Sequence, residues 1–181
     1  MDIEQMKKII RKDFNIKENI NPPFTGELRR RHRSTRNKIY VLFKKFGYSC
    51  GAEIGVYRGA NAKNILKQVP DTKLYLIDVW DPQVKKMNRY YKQVKEIMQP
   101  YNVEVMRMPS MQAVTQFEDC SLDFIYIDAA HDFDNVMLDL IYWVPKVKVG
   151  GMICGDDYNV MAYGVTKAVN SYTFAHGIRD V

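Results

Sequence analysis

Cysteine is scarce in this chain. Only Cys50, Cys120 and Cys154 occur in 181 residues, an odd number too small for a disulfide framework, so a reduced, cytoplasmic setting is expected. No apolar run approaches the ~18 residues of a membrane span, and no membrane partner is expected. The opening Met1-Asp2-Ile3-Glu4-Gln5 lacks the basic start and apolar core of a secretory signal. Histidine is also rare, at three, and with the cysteines scattered this argues against a zinc site. Internal repeats and low-complexity tracts are missing as well. What remains is 46% hydrophobic and 27% charged, the profile of a soluble globular protein. The length suits one compact domain and is too short for two ordinary ones.

Charge is unevenly placed. Residues 1–50 hold 13 Lys or Arg against 5 Asp or Glu, and residues 51–181 hold 14 against 16. The excess of +6 over the whole chain thus belongs to an N-terminal segment. Two parts are expected: residues 1–48, a basic helical segment or lid, and residues 49–181, a ligand-binding core. In the first, Ile3, Met6, Ile9 and Ile10 share one face of an amphipathic helix. Asn21-Pro22-Pro23 then breaks the pattern. The run Arg29-Arg30-Arg31-His32-Arg33 leads into a second helix over 34–46, which Gly47 ends.

From Cys50 onward strands and helices alternate. The pattern predicts strands at 52–56, 73–79, 102–108, 122–128 and 152–155. Helices are predicted at 60–69, 82–98, 110–117, 133–144 and 163–174. The strands are short apolar runs, as in sheets covered on both faces. Alternation of this kind implies right-handed crossovers, an α/β class, and a doubly wound, mostly parallel sheet with helices on both faces.

In such a sheet ligands bind beyond the carboxyl ends of the strands. The first strand runs into Glu53-Ile54-Gly55-Val56-Tyr57-Arg58-Gly59. Gly55 and Gly59 permit a sharp turn and a close approach of ligand to backbone, and the following helix offers unpaired N–H groups. A phosphate loop is excluded by pattern, and Tyr57 stands where a dinucleotide fingerprint needs glycine. Tyr57 would crowd a pyrophosphate, which favours a ligand without phosphates. Asp78, ending the second strand, could accept hydrogen bonds from both ribose hydroxyls of a nucleoside.

A second group lies further along. Ile127-Asp128-Ala129-Ala130-His131 ends one strand, and Gly155-Asp156-Asp157-Tyr158 ends the next. Adjacent strands would bring Asp128, Asp156 and Asp157 to one edge of the sheet, where three carboxylates repel unless a cation sits among them. Hard oxygen ligands suit Mg²⁺, with Mn²⁺ and Ca²⁺ as alternatives. His131 is the candidate general base, since an ordinary histidine accepts a proton near pH ~6.5. The plainer alternative is that His131 starts a helix and the Asp156-Asp157 pair caps another.

With these motifs in hand, the sequence resembles the class I S-adenosylmethionine-dependent methyltransferases, and within them the metal-dependent O-methyltransferases of the catechol and macrolide-sugar type. The resemblance covers roughly residues 50–175. It implies the Rossmann-like methyltransferase fold, with Glu53, Gly55 and Gly59 around the methionine part of S-adenosylmethionine and Asp78 on the ribose. Ser110 and Met111 would lie near adenine, and Tyr57 and Asp128 stand as further cofactor contacts. Asp128, Asp156 and Asp157 would bind the metal, with Asp128 and His131 as catalytic residues. The catechol enzymes carry an asparagine where Asp157 stands, so the sugar branch is the closer relative and a small hydroxylated acceptor is implied. The fold usually closes with a C-terminal hairpin, yet only Gly177-Ile178-Arg179-Asp180-Val181 follow the last helix. Either the sheet lacks an edge strand, or a partner chain, as in a homo-oligomer, covers the exposed edge.

Two other readings stay open. Arg29 to Arg33, Arg36 and Lys38, with Tyr40 and Phe43, could bind phosphates and stack bases of a nucleic acid, or recognise an acidic small substrate. A non-catalytic module is disfavoured by the carboxylates, because unpaired buried charge is costly to retain. Trp80, Tyr90, Tyr91 and Trp143 are expected in packing.

Overall fold

Short, largely apolar runs form the strands, and the amphipathic stretches between them form the helices. The computed structural model describes residues 2–14, 34–158 and 163–178. The expected break at 21–23, the basic run 29–33 and the last residues 179–181 lie outside the described residues. Two helices come first, α1 (Ile3–Phe14) and α2 (Ser34–Phe46). Then follow β1 (Cys50–Ile54), α3 (Ala60–Gln68), β2 (Lys73–Asp78), α4 (Lys85–Met98), β3 (Val103–Arg107) and the short α5 (Ser110–Ala113). The chain continues through β4 (Leu122–Ile127), α6 (Phe133–Trp143), β5 (Val147–Gly155) and α7 (Tyr163–Ala175).

All strand pairs are parallel, in the order β3-β2-β1-β4-β5, as the alternating pattern predicts. The chain moves outward from β1 to β3 and then returns to the other side with β4. The switch point therefore lies between β1 and β4, where ligands bind in such sheets. Register aligns the tips: Ile54 is level with Ile77 and Ile127, and Ile127 with Gly155.

Three elements differ from the sequence reading by more than two residues. The fourth helix starts at Lys85, because Asp81 accepts the Gln83 amide in a turn after Pro82. The segment 110–117 gives one α turn and one 3-10 turn. The last strand starts at Val147, five residues early, and carries a register shift opposite Leu122–Phe124. Glycine permits that irregularity, since Gly150 adopts φ +83°.

The sheet carries a core on each face. Tyr40, Phe43, Ala62, Ile65, Leu66, Val94 and Met98 of α2, α3 and α4 pack on Leu74, Leu76, Phe124 and Tyr126. The other face sets Ala113 and Trp143 against Ala52, Ile54, Ile77 and Ile125. Phe43 stacks on Phe124 with centroids 4.0 Å apart, in space that exists because residue 51 is glycine: a Cβ there would meet the Phe124 ring at 2.3 Å. Such a pair adds about 1 kcal/mol beyond its buried area. It holds α2 on this face of the sheet, level with Gly51. No described helix is long and apolar enough to cross a membrane.

Candidate active site at the strand tips

The turn after β1 is built from backbone. Gly55 adopts φ +89°, and a Cβ on it would lie 2.1 Å from the carbonyl oxygen of Asp128. Gly59 at φ +75° precedes α3, whose first N–H groups receive no side-chain cap. Between them Tyr57 sits at φ +52°, a conformation costly for a residue with a Cβ. Asp78 holds it there: its Oδ2 accepts the amides of Val56 (3.0 Å) and Tyr57 (2.7 Å), and its Oδ1 that of Trp80 (2.9 Å). The sequence reading has Asp78 facing a ribose, whereas the structure shows it tying the turn together. A carboxylate has about four lone-pair sites, so capacity remains.

Trp80 and Arg107 complete this frame, and sequence reasoning missed both in that role. The buried Trp80 indole donates to the Tyr57 carbonyl at 2.7 Å, and the Arg107 guanidinium donates twice to the Trp80 carbonyl. Expected as packing, Trp80, Tyr90 and Trp143 are indeed buried. Tyr90 meets the half-exposed Tyr57 ring edge-on at 4.9 Å.

Glu53 lies beneath the turn, fully buried, with neither carboxyl oxygen hydrogen-bonded. Burial pushes its pKa up to about 8; Asn61 and Arg36 oppose the rise, while Asp128 and Asp78 add to it. Glu53 is thus largely a neutral acid at pH 7. Around it, Tyr40 donates to Asn61 Oδ1, while Asn61 Nδ2 and the Tyr126 hydroxyl stay without partners. Buried polar atoms left unpaired in one spot are uncommon and ask for an explanation.

Next to the turn, backbone bonds set the acidic tips. The Asp128 amide donates to the Ile54 carbonyl (2.7 Å), and the Asp156 amide to the Ile127 carbonyl (3.1 Å). His131 Nε2 lies 3.2 Å from Asp157 Oδ2 and 3.7 Å from Asp128 Oδ1. One ligand atom from each of these three residues falls within 4.8 Å of the others. Burial raises the Asp128 pKa, with Asp157 adding to the rise and Arg36 and His131 opposing it. His131 just precedes Asp132, which caps α6 by accepting the Asn135 amide at 3.0 Å. The loop is pinned from α7, where a Cβ on Gly164 would meet the His131 carbonyl oxygen at 2.3 Å. No sequence signal marked Gly164.

The structure brings the expected acidic trio together only in part. Asp128 and Asp157 meet at His131, whereas the Asp156 carboxylate forms an ion pair with Arg36 of α2. Arg36 was counted only within the basic run, and nothing local in the sequence separates it from its neighbours. Ser110 and Met111 follow β3 beside the Asp78 tip, where the Met108 amide donates to the Asp78 carbonyl. The Ser110 hydroxyl is already engaged, donating to Asp139 and accepting from the Trp143 indole at 2.7 Å. The nucleic-acid reading needs a correction: Tyr40 and Phe43 are 1% and 0% exposed, so neither can stack on a base. Lys38 is turned to α1, donating to the Asp13 carbonyl at 3.0 Å.

Solved structures share this architecture. The O-methyltransferase from Bacillus cereus in complex with SAH is 13% identical, with a TM-score of 0.59, over 94% of this chain and 79% of that one. TomG, an O-methyltransferase from Streptomyces achromogenes in complex with SAM, is 11% identical with a TM-score of 0.60, over 93% and 76%. Precorrin-6y C5,15-methyltransferase from Geobacter metallireducens GS-15 is 13% identical with a TM-score of 0.60, over 84% and 76%. The first two names specify oxygen and the third carbon, so the shared fold does not select the acceptor atom. No curated protein sequence matches the chain. The methyltransferase domain family matches residues 52–158, more than half of the chain and nearly all of the stretch from β1 to β5, and the chain belongs to that family.

Proposed function

We propose that this methyltransferase is an S-adenosylmethionine-dependent O-methyltransferase that uses a divalent ion, Mg²⁺ in the first place, on a small acceptor with neighbouring hydroxyls such as a sugar or polyol. The observation that carries the reading is the convergence of Asp128, His131 and Asp157 within 4.8 Å, one strand away from a glycine turn at the switch point of the sheet. The residues fit both groups. Two carboxylates on partly open side chains offer hard oxygen ligands with room for water, and the imidazole stands within reach of an acceptor held there. The orphaned Glu53, Asn61 and Tyr126 atoms beneath the turn suit the polar methionine end of the cofactor.

Roles follow from placement. Gly55 and Gly59 admit the cofactor to bare backbone, and Asp78 sets the turn while offering spare lone pairs to ribose. Asp128 and Asp157 hold the ion. His131 Nε2 takes the acceptor proton, its ring held between two carboxylates that stabilise the imidazolium once formed. Bound here, the sulfonium cofactor supplies an already activated methyl group, and the ion supplies a Lewis acid that makes a hydroxyl easier to deprotonate. The chain's own contribution is alignment and proton removal.

The test is direct. Calorimetric titration with S-adenosylhomocysteine should show binding to the wild type and to His131→Ala alike. Turnover of a polyol acceptor by His131→Ala should drop by about a hundredfold or more. Unchanged turnover would remove His131 from the mechanism, and absent binding would remove the cofactor assignment.

A further inference from the structure

Arg36 is the cation that the fold itself supplies to the acidic strand tips. It stands in the first turn of α2, ion-paired with Asp156. Its positive charge is also felt at Asp128, Glu53, Tyr40 and Tyr126. One guanidinium thus sits among the groups that line both halves of the cleft. Asp156 is occupied by this pair, while the potential ligand atoms of Asp128, His131 and Asp157 gather without it.

We propose that Arg36 and a divalent ion compete for Asp156, so that loading of the acidic cluster releases the first turn of α2. This rests on the proposed reading that the cluster holds a divalent ion. A metal held by the carboxylates of Asp128 and Asp157 gains a third oxygen ligand from Asp156 only if the guanidinium leaves. Two cations do not share one carboxylate edge without repulsion. The way out is open, because the Arg36 side chain is already 45% exposed. The rest of α2 need not follow: Tyr40, Leu42 and Phe43 are buried, and Phe43 stays stacked on Phe124. Linkage is reciprocal, so an ion that displaces Arg36 is itself weakened by Arg36. Arg36 is therefore a positioning residue that sets metal affinity and couples it to the helix preceding the sheet.

The experiment uses Mn²⁺ as the probe, its free concentration followed by electron paramagnetic resonance, on the full chain. Arg36→Met should bind Mn²⁺ about fivefold more tightly than the wild type, the range of a single partly exposed ion pair. Asp156→Asn should change wild-type affinity by less than about twofold, yet cancel the gain when combined with Arg36→Met. Hydrogen exchange on the wild type serves as a second measurement, independent of whether the variants fold: Mn²⁺ should speed exchange of amides 36–40 and leave those of β1 unchanged. Equal or weaker Mn²⁺ binding by Arg36→Met, or exchange in α2 that ignores Mn²⁺, overturns the competition. Failure of the underlying metal reading looks different, since then no variant binds Mn²⁺ at all.

Discussion

The cleft at the strand tips has two halves made of different materials. At β1 and β2 it is backbone: Gly55 and Gly59 at positive φ, Tyr57 strained between them, and Asp78 spending its oxygens on three main-chain amides. At β4 and β5 it is side-chain charge: Asp128, His131 and Asp157 in one group, with Asp156 set apart on Arg36. The first half is shaped by steric exclusion and tolerates little. The second is a balance of charges that can be changed without disturbing the chain path. Folding should therefore depend on the first half, and ion binding and proton transfer on the second.

The sharpest break of this contrast is Gly55→Ala. Its new Cβ would press on the Asp128 carbonyl oxygen at 2.1 Å in a left-handed conformation, costing about 4 kcal/mol by denaturant unfolding and abolishing S-adenosylhomocysteine binding. Wild-type stability with intact binding would refute the idea that the turn is set by steric fit.

Glu53 tests the seam between the halves through pH. Its pKa is about 8 in the folded chain and near the ordinary 4.5 when unfolded. Between those values the native state holds a proton that the unfolded state has lost, so stability falls as pH rises through this window and levels off above it. Glu53→Gln should remove a decline on the order of 4 kcal/mol between pH 5 and 8, read as the difference in unfolding free energy between the two proteins. A parallel pH profile for both would show that Glu53 ionises freely in the folded chain.

The smallest effect on stability belongs to the charged half. Asp157→Asn keeps a residue type that accepts φ +57° and should shift unfolding by no more than about 0.5 kcal/mol. The same variant should weaken Mn²⁺ binding while sparing S-adenosylhomocysteine. A large stability loss would mean that the acidic half also carries folding.

Legibility in the sequence differs between the halves for the same physical reason. Gly55, Gly59 and Asp78 lie within one strand-helix-strand unit, where local spacing determines their meeting. His131 and Asp128 are likewise close in sequence. Arg36 and Asp156 belong to opposite ends of the chain, and only the packing of α2 on β4, Phe43 on Phe124 and Tyr40 beside Tyr126, lets them meet. The same docking buries Tyr40 and Phe43, which the sequence reading left open as an alternative base-stacking surface. Ser110 illustrates the converse, since its hydroxyl is claimed by Asp139 and Trp143 of α6, partners that no local pattern links to it.

Periodicity and punctuation were enough to determine the alternating strands and helices, the parallel sheet and the glycine turn, because those features arise from backbone sterics and from burial of nearby apolar faces. Tertiary packing alone decided which cation neutralises Asp156, which carboxyl lies buried without a partner and which hydroxyls are already taken. Those outcomes depend on distances between residues far apart in the chain, and it is folding that sets such distances.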